Sequence, residues 1–406
     1  MEYGIAYLKN RLAVKQARVK MRYDYYEMKN GMERIVGLIP ANFMNMVSCL
    51  GWCAKSVDSL ADRITFDTFD NDDFGIGEIY KLNNADILFD SAILSALISA
   101  CSFLYIGQAQ GGYPSIQVID GGSATGMIDP TTNLLTEGYA VLERDEWKRP
   151  VLEAYFQPHR TFYYRNGKLS QTFLHDAPYA LLVPVIHRPD AVRQFGHSRI
   201  SRACIAIMQS ALRTLIRSEV SAEFYSFPQK YILGLSEEAE FSTRAAAMSD
   251  FLDLRKDEEG DKPTVGQFQQ QSMAPYTEQM RSLASLFAAE TDLTLDDLGF
   301  STENPSSSEA IKASHEALRL RARKAQRTFG TGFLNAGYLA ACVRDGISYD
   351  RHAFANTVPL WQPIFEPDAS ALGVIGDAIL KINQASEGFL GERNIRQLTG
   401  LRSDQA

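Results

Sequence analysis

Between Ser198 and Phe227 the chain contains neither proline nor glycine, and Phe227 is followed directly by Pro228. Ile205, Met208, Leu212, Leu215 and Val220 recur through this stretch at three- to five-residue intervals, which places them on roughly one face of a helix. A helix of that length spans roughly 40 Å. It must end at Phe227-Pro228, because the proline ring denies a helical hydrogen bond. The apolar stripe of a helix that long needs a neighbour to cover it.

The rest of the pattern alternates around this element. The first sixty residues read as helical and amphipathic, with a second helix expected around Val47 to Arg63. Residues 91–107, SAILSALISACSFLYIG, are short for a membrane span and carry four serines, so they predict a buried helix running into a strand. From Tyr105 to Ile186 the runs SIQVID, YAVLERD, VLEAYF, TFYYRNGKLSQTFL and LLVPVI predict a mostly antiparallel sheet, with Asn166-Gly167 as a hairpin turn. Residues 228–275 hold one β-like run, QKYILGL, and the charged stretch DLRKDEEGDKP, whose plain reading is a solvated loop. EQMRSLASLFAAE predicts another helix, and TDLTLDDLGFSTENP a polar loop after it. Ser306 and Glu309 have the spacing of a capping box and predict the start of a very long helix reaching about Arg344. That helix carries Lys312, Arg319, Arg321, Arg323, Lys324 and Arg327 against Glu316, and Gly330, Gly332 and Gly337 predict a kink in its second half. Such a basic face suits DNA, but in an acidic chain it more often meets acidic surface on a neighbour. The tail, 346–406, predicts a Pro-rich turn (TVPLWQPIFEPD), a short helix through GDAILKI and a small final helix. The fold class expected is therefore α+β.

Motifs for chemistry are missing where an enzyme would need them. GGSATGMI is Gly-rich but lacks the lysine of a phosphate-binding loop, and neither HExxH nor GxSxG occurs. Six histidines stand singly, and the cluster Asp67, Asp70, Asp72, Asp73 lacks the order of a calcium loop. No catalytic residue, metal site or cofactor is expected. Five cysteines without a CxxC pair predict buried, reduced thiols in a protein made in the cytoplasm, and the first residues do not read as a secretory signal. A net charge of −8 argues against holding nucleic acid by neutralising many phosphates, though not against DNA passing by.

In their order, these features resemble a known family. Tyr23, Tyr26, Gly31 and Asn42, then Val57, Asp58 and Arg63, are its first marker; Gly196, Ser198, Pro228, Gln229 and Gly234, around the long helix, are its second. More specific is Gly299-Phe300 followed by Asn304-Pro305-Ser306-Ser307-Ser308-Glu309-Ala310-Ile311, and the tail adds Trp361, Pro363, Asp377, Ala378 and Lys381. Together they resemble the portal proteins of tailed bacteriophages, of the SPP and actinobacteriophage type. Thr294, after Asp292-Leu293, departs from the pattern, since related chains often carry proline there. That bears on the shape of the loop and not on the family.

The resemblance implies a portal fold with long stem and wing helices, an antiparallel wing sheet and a small α/β clip. It implies a wing at 1–198, a first stem helix at 199–227, a clip at 228–275, a second stem helix at 276–290, a tunnel loop at 291–305, a long kinked wing helix at 306–345 and a small crown at 346–406. The tunnel loop would bring Asp292, Thr294, Asp296, Asp297, Ser301, Thr302, Glu303 and Asn304 toward DNA, and the clip would offer Asp257, Glu258, Glu259 and Asp261 to partners. The implied partners are other copies in a ring of twelve, the major capsid protein, the terminase, head completion or adaptor proteins, and double-stranded DNA passing without sequence specificity. No membrane is implied. The implied place is the portal vertex of the virion. An enzyme with a site assembled by the fold, or another capsid-associated ring or adaptor protein, also fits the residues.

Overall fold

The computed structural model describes residues 3–30, 49–108, 113–226, 230–233, 264–267, 272–300, 308–365, 367 and 369–401 of the chain. It divides into two units. The first comprises 1–30, 51–205 and 290–406, and the second comprises 31–50 and 206–289.

The first unit begins with helix α1 (Gly4–Tyr26), which buries Leu8, Leu12, Val19 and Tyr25 along one side. Helix α2 (Trp52–Ala61), strand β1 (Phe66–Asp70) and the short helix α3 (Ile76–Leu82) follow. Asp72, one of the clustered aspartates, accepts the Ile76 and Gly77 amides at 2.8 and 2.7 Å and so caps α3. Among the described residues no group of histidines, cysteines and carboxylates has the arrangement to hold a metal ion.

Helix α4 (Ala85–Ser99) runs into strand β2 (Cys101–Gly107) through Ala100 at φ +89°, the helix-into-strand expected of 91–107. No described helix is long and apolar enough to cross a membrane. Strands β3 (Ser115–Ile119), β4 (Ala124–Ile128), β5 (Leu135–Arg144), β6 (Pro150–Gln157), β7 (Arg160–Arg165), β8 (Lys168–Leu174) and β9 (Leu182–Ile186) complete two sheets. One is three-stranded in the order β3-β2-β9, the other is the meander β4-β5-β6-β7-β8, and every pairing is antiparallel. Asn166 and Gly167 join β7 to β8 at φ +50° and +76°, as a tight hairpin of right-twisted strands requires. α1 lies against the meander, where Leu8 and Leu12 pack with Tyr139, Val141 and Tyr155.

Two buried carboxylates hold α1 there. Glu137 accepts the Tyr3 and Gly4 amides at 2.8 and 3.1 Å and the Tyr155 hydroxyl at 2.8 Å. Glu153 accepts the Tyr139 hydroxyl and meets Lys9 at 2.7 Å. Negative charge at a helix N-terminus is favourable, because the first amides have no partner within the helix.

The second unit contains most of helix α5 (Arg202–Ser226), the antiparallel ladder of β10 (Lys230–Leu233) with β11 (Thr264–Gln267), and most of helix α6 (Ala274–Thr291). α5 buries Met208, Ala211, Leu212 and Ile216, and α6 buries Ala284, Phe287 and Ala288. The hydroxyls of Ser221 and Tyr276 join the two at 2.8 Å.

Returning to the first unit, the basic helix appears as α7 (Ser308–Ser314) and α8 (Glu316–Asp345), separated by His315 at ψ 9°. α8 runs as one helix through Gly330, Gly332 and Gly337. Those glycines are places of close approach. A Cβ at Gly337 would overlap Ile76 Cγ2, one at Gly330 would come within 2.7 Å of Pro359 Cγ, and one at Gly332 within 3.2 Å of Val185 Cα. The side chains omitted are those that would hold α8 away from α3, the tail and β9.

The Pro-rich tail is also more than a turn. Strand β12 (Val358–Trp361) pairs antiparallel with β1, and Pro359 is tolerated because this sheet has only two strands. Phe66, Phe89, Phe333 and Trp361 form an aromatic knot beneath it, with ring centroids 4.2–6.1 Å apart. Helices α9 (Ala369–Ala385) and α10 (Glu392–Thr399) end the described chain, and neither has a buried residue. α9 is longer than the short helix expected through GDAILKI. Cys53, Cys101, Cys204 and Cys342 are buried free thiols, whereas Cys49 is exposed, contrary to the expectation for all five.

Candidate functional site: the anchored acidic loop

α6 ends at Thr291, and the loop that follows turns at once through Asp292, at φ +54°. Arg199, whose side chain is only 4% exposed, reaches this turn from the segment before α5. Its guanidinium donates to the carbonyl of Thr291, to the carbonyl of Ser56 in α2 at 3.2 Å, and to Asp292 Oδ2 at 3.4 Å. Arg321 of α8 closes on the same Asp292 oxygen at 3.0 Å. One carboxylate thus lies between two guanidinium groups from elements far apart in sequence. Burial holds the Arg199 guanidinium below its ordinary range and Asp292 raises it again, as expected of a buried cation retained by a counter-charge.

Arg199 is aimed by the residues before it. Gly196 sits at φ +73°, where any Cβ would overlap the His187 carbonyl, and Ser198 Oγ donates to Ile98 O at 2.6 Å. His187 Nδ1 donates to the His197 carbonyl at 2.6 Å, and burial pulls its pKa down to about 3, so the ring is neutral. The Gly-x-Ser element is therefore a backbone device that presents Arg199. Ser201 then donates to Glu290 at 2.8 Å, a second tie between the start of α5 and the end of α6.

Beyond Asp292 the loop closes on itself. Asp297 accepts the Thr294 amide at 2.9 Å and its hydroxyl at 2.8 Å, and the Asp297 amide donates back to Thr294 Oγ1 at 3.2 Å. A proline at 294 has no N–H for the first of these bonds, which gives the departure at Thr294 a local role. A 3-10 turn, Asp296–Leu298, ends at Gly299 with φ +87°, and Phe300 meets Trp52 edge-on at 6.5 Å. His315, at the break between α7 and α8, comes within 3.8 Å of Asp297.

The expected site residues thus fall into three groups. Asp292, Thr294 and Asp297 are turned to internal partners. Asp296 is exposed. Ser301, Thr302, Glu303, Asn304 and Ser306 lie outside the described residues, as do Asp257, Glu258, Glu259 and Asp261 and the side chain of Glu309. Arg199 was not singled out from the sequence, where one arginine before an apolar helix carries no sign that it will be buried.

No protein-family model matches the chain. The portal protein of Mycobacterium phage L5 is 24% identical over 345 residues, which cover 80% of this chain and 71% of that protein. The portal protein of Mycobacterium phage D29 is 24% identical over 397 residues, covering 93% of this chain and 81% of that one. Among solved structures, a chain from the neck of a native gene transfer agent particle, computed with C12 symmetry, aligns over 95% of this chain and 99% of its own length. Its TM-score is 0.45 and its identity 15%. A chain from the neck of an empty particle, computed with C6 symmetry, aligns over 86% of this chain and 90% of its own, with a TM-score of 0.43 and 14% identity. By sequence, over most of its length, this chain is similar to two phage portal proteins.

Proposed function

We propose that the chain is a portal subunit of a tailed phage, one of a homo-oligomeric ring, twelve by resemblance, at a capsid vertex through which double-stranded DNA is packaged and ejected. The observation that carries this reading is the sequence match to two mycobacteriophage portal proteins over 80% and 93% of the chain. Under it, the two long helices α5 and α6 serve as stem and the segment between them as clip, the docking site for the terminase and later for head completion or tail connector proteins. The loop from 291 to 305 borders the DNA path, the helices from 306 run across the wing beside the major capsid protein, and 346–406 form a small crown. The reading assigns no catalytic residue, because the ATPase is a separate protein, the terminase.

An acidic, polar loop suits a passage for DNA. Duplex DNA carries one negative charge per roughly 1.7 Å of axis, so a wall of lysine and arginine would bind it and slow it. Electron micrographs of the purified protein test the proposal: rings with a central hole are expected, and a monodisperse monomer or dimer at high concentration overturns it.

A further inference from the structure

Along the first half of α8, Arg323, Lys324 and Arg327 are exposed. Their neighbours are occupied, Arg319 by Glu316 at 2.6 Å and Arg321 by Asp292. For these three, no described carboxylate lies within ion-pair distance. They border two adjoining hollows. One, of about 720 Å3, is walled by Leu320, Pro359 and Trp361 as well as by the three cations. The other, of about 580 Å3, shares Lys324 and Arg327 and is also lined by Arg188, Pro189 and the Asp190–His197 pair, itself joined at 2.6 Å. Leu320 is 48% exposed at the edge of the first. This trough therefore offers cations beside uncovered apolar surface. A phosphate backbone would match the charge and leave Leu320 and Trp361 uncovered, whereas acids set around an apolar side chain match both.

The same chain carries that complement on another helix. Asp86 and Asp90 lie one turn apart on α4, both exposed, with Ile87 beside them at 73% exposure. Burial raises the Asp90 carboxyl above its ordinary range, and Asp86 and Asp62 raise it further. Among the described residues neither Asp86 nor Asp90 has a cation within ion-pair distance, as the three cations of the trough have no carboxylate.

We propose that the trough of Arg323, Lys324 and Arg327 receives the Asp86–Ile87–Asp90 face of a second copy of this chain. Two different patches then meet, the head-to-tail contact that makes a ring when the rotation closes. The inference rests on the reading of the chain as a ring subunit and adds which surfaces meet. It is tested by charge exchange in the full-length chain: Arg323→Glu with Arg327→Glu, Asp86→Arg with Asp90→Arg, and all four together, followed by ring yield at fixed protein concentration. Each reversed pair lowers ring yield by about tenfold or more, since close charge pairs at interfaces couple at least that strongly. The fourfold variant regains it. All altered side chains are exposed, so unchanged circular dichroism of each variant confirms that folding is not the cause. Rings from either reversed pair at the normal yield, or no recovery in the fourfold variant, overturn the contact. So do intact rings from Arg323→Glu with Arg327→Glu that have lost retention of random-sequence duplex, which would give the trough to DNA. Absence of rings from the unmodified chain refutes the portal reading itself, and the contact falls with it.

Discussion

Replacing Arg199 by methionine keeps the side-chain volume and removes the charge that holds the start of the acidic loop. Two carbonyls, those of Ser56 and Thr291, lose their donor inside the protein, at about 1–3 kcal/mol each. Asp292 keeps Arg321, which is 35% exposed and therefore screened by solvent. Set against the cost of breaking a buried pair by removing one partner, the expected loss is about 3–5 kcal/mol. Arg321→Gln leaves Arg199 in place and should cost under about 1 kcal/mol. Because the chain divides into two units, a single denaturation midpoint is a poor measure. Amide hydrogen exchange is better, read at Gly299 and Phe300, whose N–H groups donate to Asp296 and Leu295 at 3.1 and 3.0 Å. A local loss of about 3 kcal/mol speeds their exchange by roughly a hundredfold in Arg199→Met, with a tenfold change or less in Arg321→Gln. Equal exchange in the two variants, within about twofold of the unmodified chain, would refute the idea that the buried arginine fixes the loop.

Two further outcomes follow from packing and protonation. His187 has a folded pKa of about 3 against an ordinary value near 6.5, so below pH 6.5 the unfolded chain takes up a proton that the folded chain refuses until about pH 3. Its stabilisation is complete above pH 6.5 and falls by roughly 1.4 kcal/mol for each pH unit between those limits. His187→Gln should flatten the stability–pH curve in that window, and an unchanged difference between pH 7 and pH 4.5 would sink the assignment. Gly337→Ala drives a methyl into Ile76 and should destabilise by about 1–3 kcal/mol, whereas Gly376→Ala in α9, with open space around it, should be neutral or stabilising. Amide hydrogen exchange within α8 and within α9 separates a contact glycine from an incidental one, and equal changes in the two variants would refute the distinction.

What was legible in the sequence was local. Asn166-Gly167 announced a hairpin because both positions need positive φ, and 91–107 announced a buried helix entering a strand because its apolar run is too short and too serine-rich to span a membrane. Where a residue's role depends on something far along the chain, local pattern misled or was silent. Gly126 hid strand β4 inside a Gly-rich stretch, although a Cβ there would come within 2.6 Å of the Glu137 carbonyl on the paired strand. Pro359 disguised β12 as a turn, because the partner that makes it a strand begins at Phe66. Gly330, Gly332 and Gly337 look alike to helix propensity whether they bend a helix or let another element approach it. The contacts with Pro359, Val185 and Ile76 show the second of these roles. Arg199 and Asp292 are 93 residues apart, and nothing in either neighbourhood names the other.

The acidic loop demonstrates the same limit at the point where it matters for function. Between 291 and 305 the sequence holds Asp292, Asp296, Asp297 and Glu303 and no basic residue, which reads as a strongly negative wall. Folding brings two arginines to Asp292 and turns Asp297 onto Thr294, so half of those charges serve the loop's own shape. If the loop borders DNA as proposed, the two acids not accounted for by these contacts, Asp296 and Glu303, are repeated once per subunit around the ring. The fields of like charges facing a narrow passage add, so a few acids in each of many copies suffice. More would strain the ring by self-repulsion. An internally neutralised anchor therefore holds the loop in place and leaves fewer charges for repelling a duplex than the sequence alone suggests.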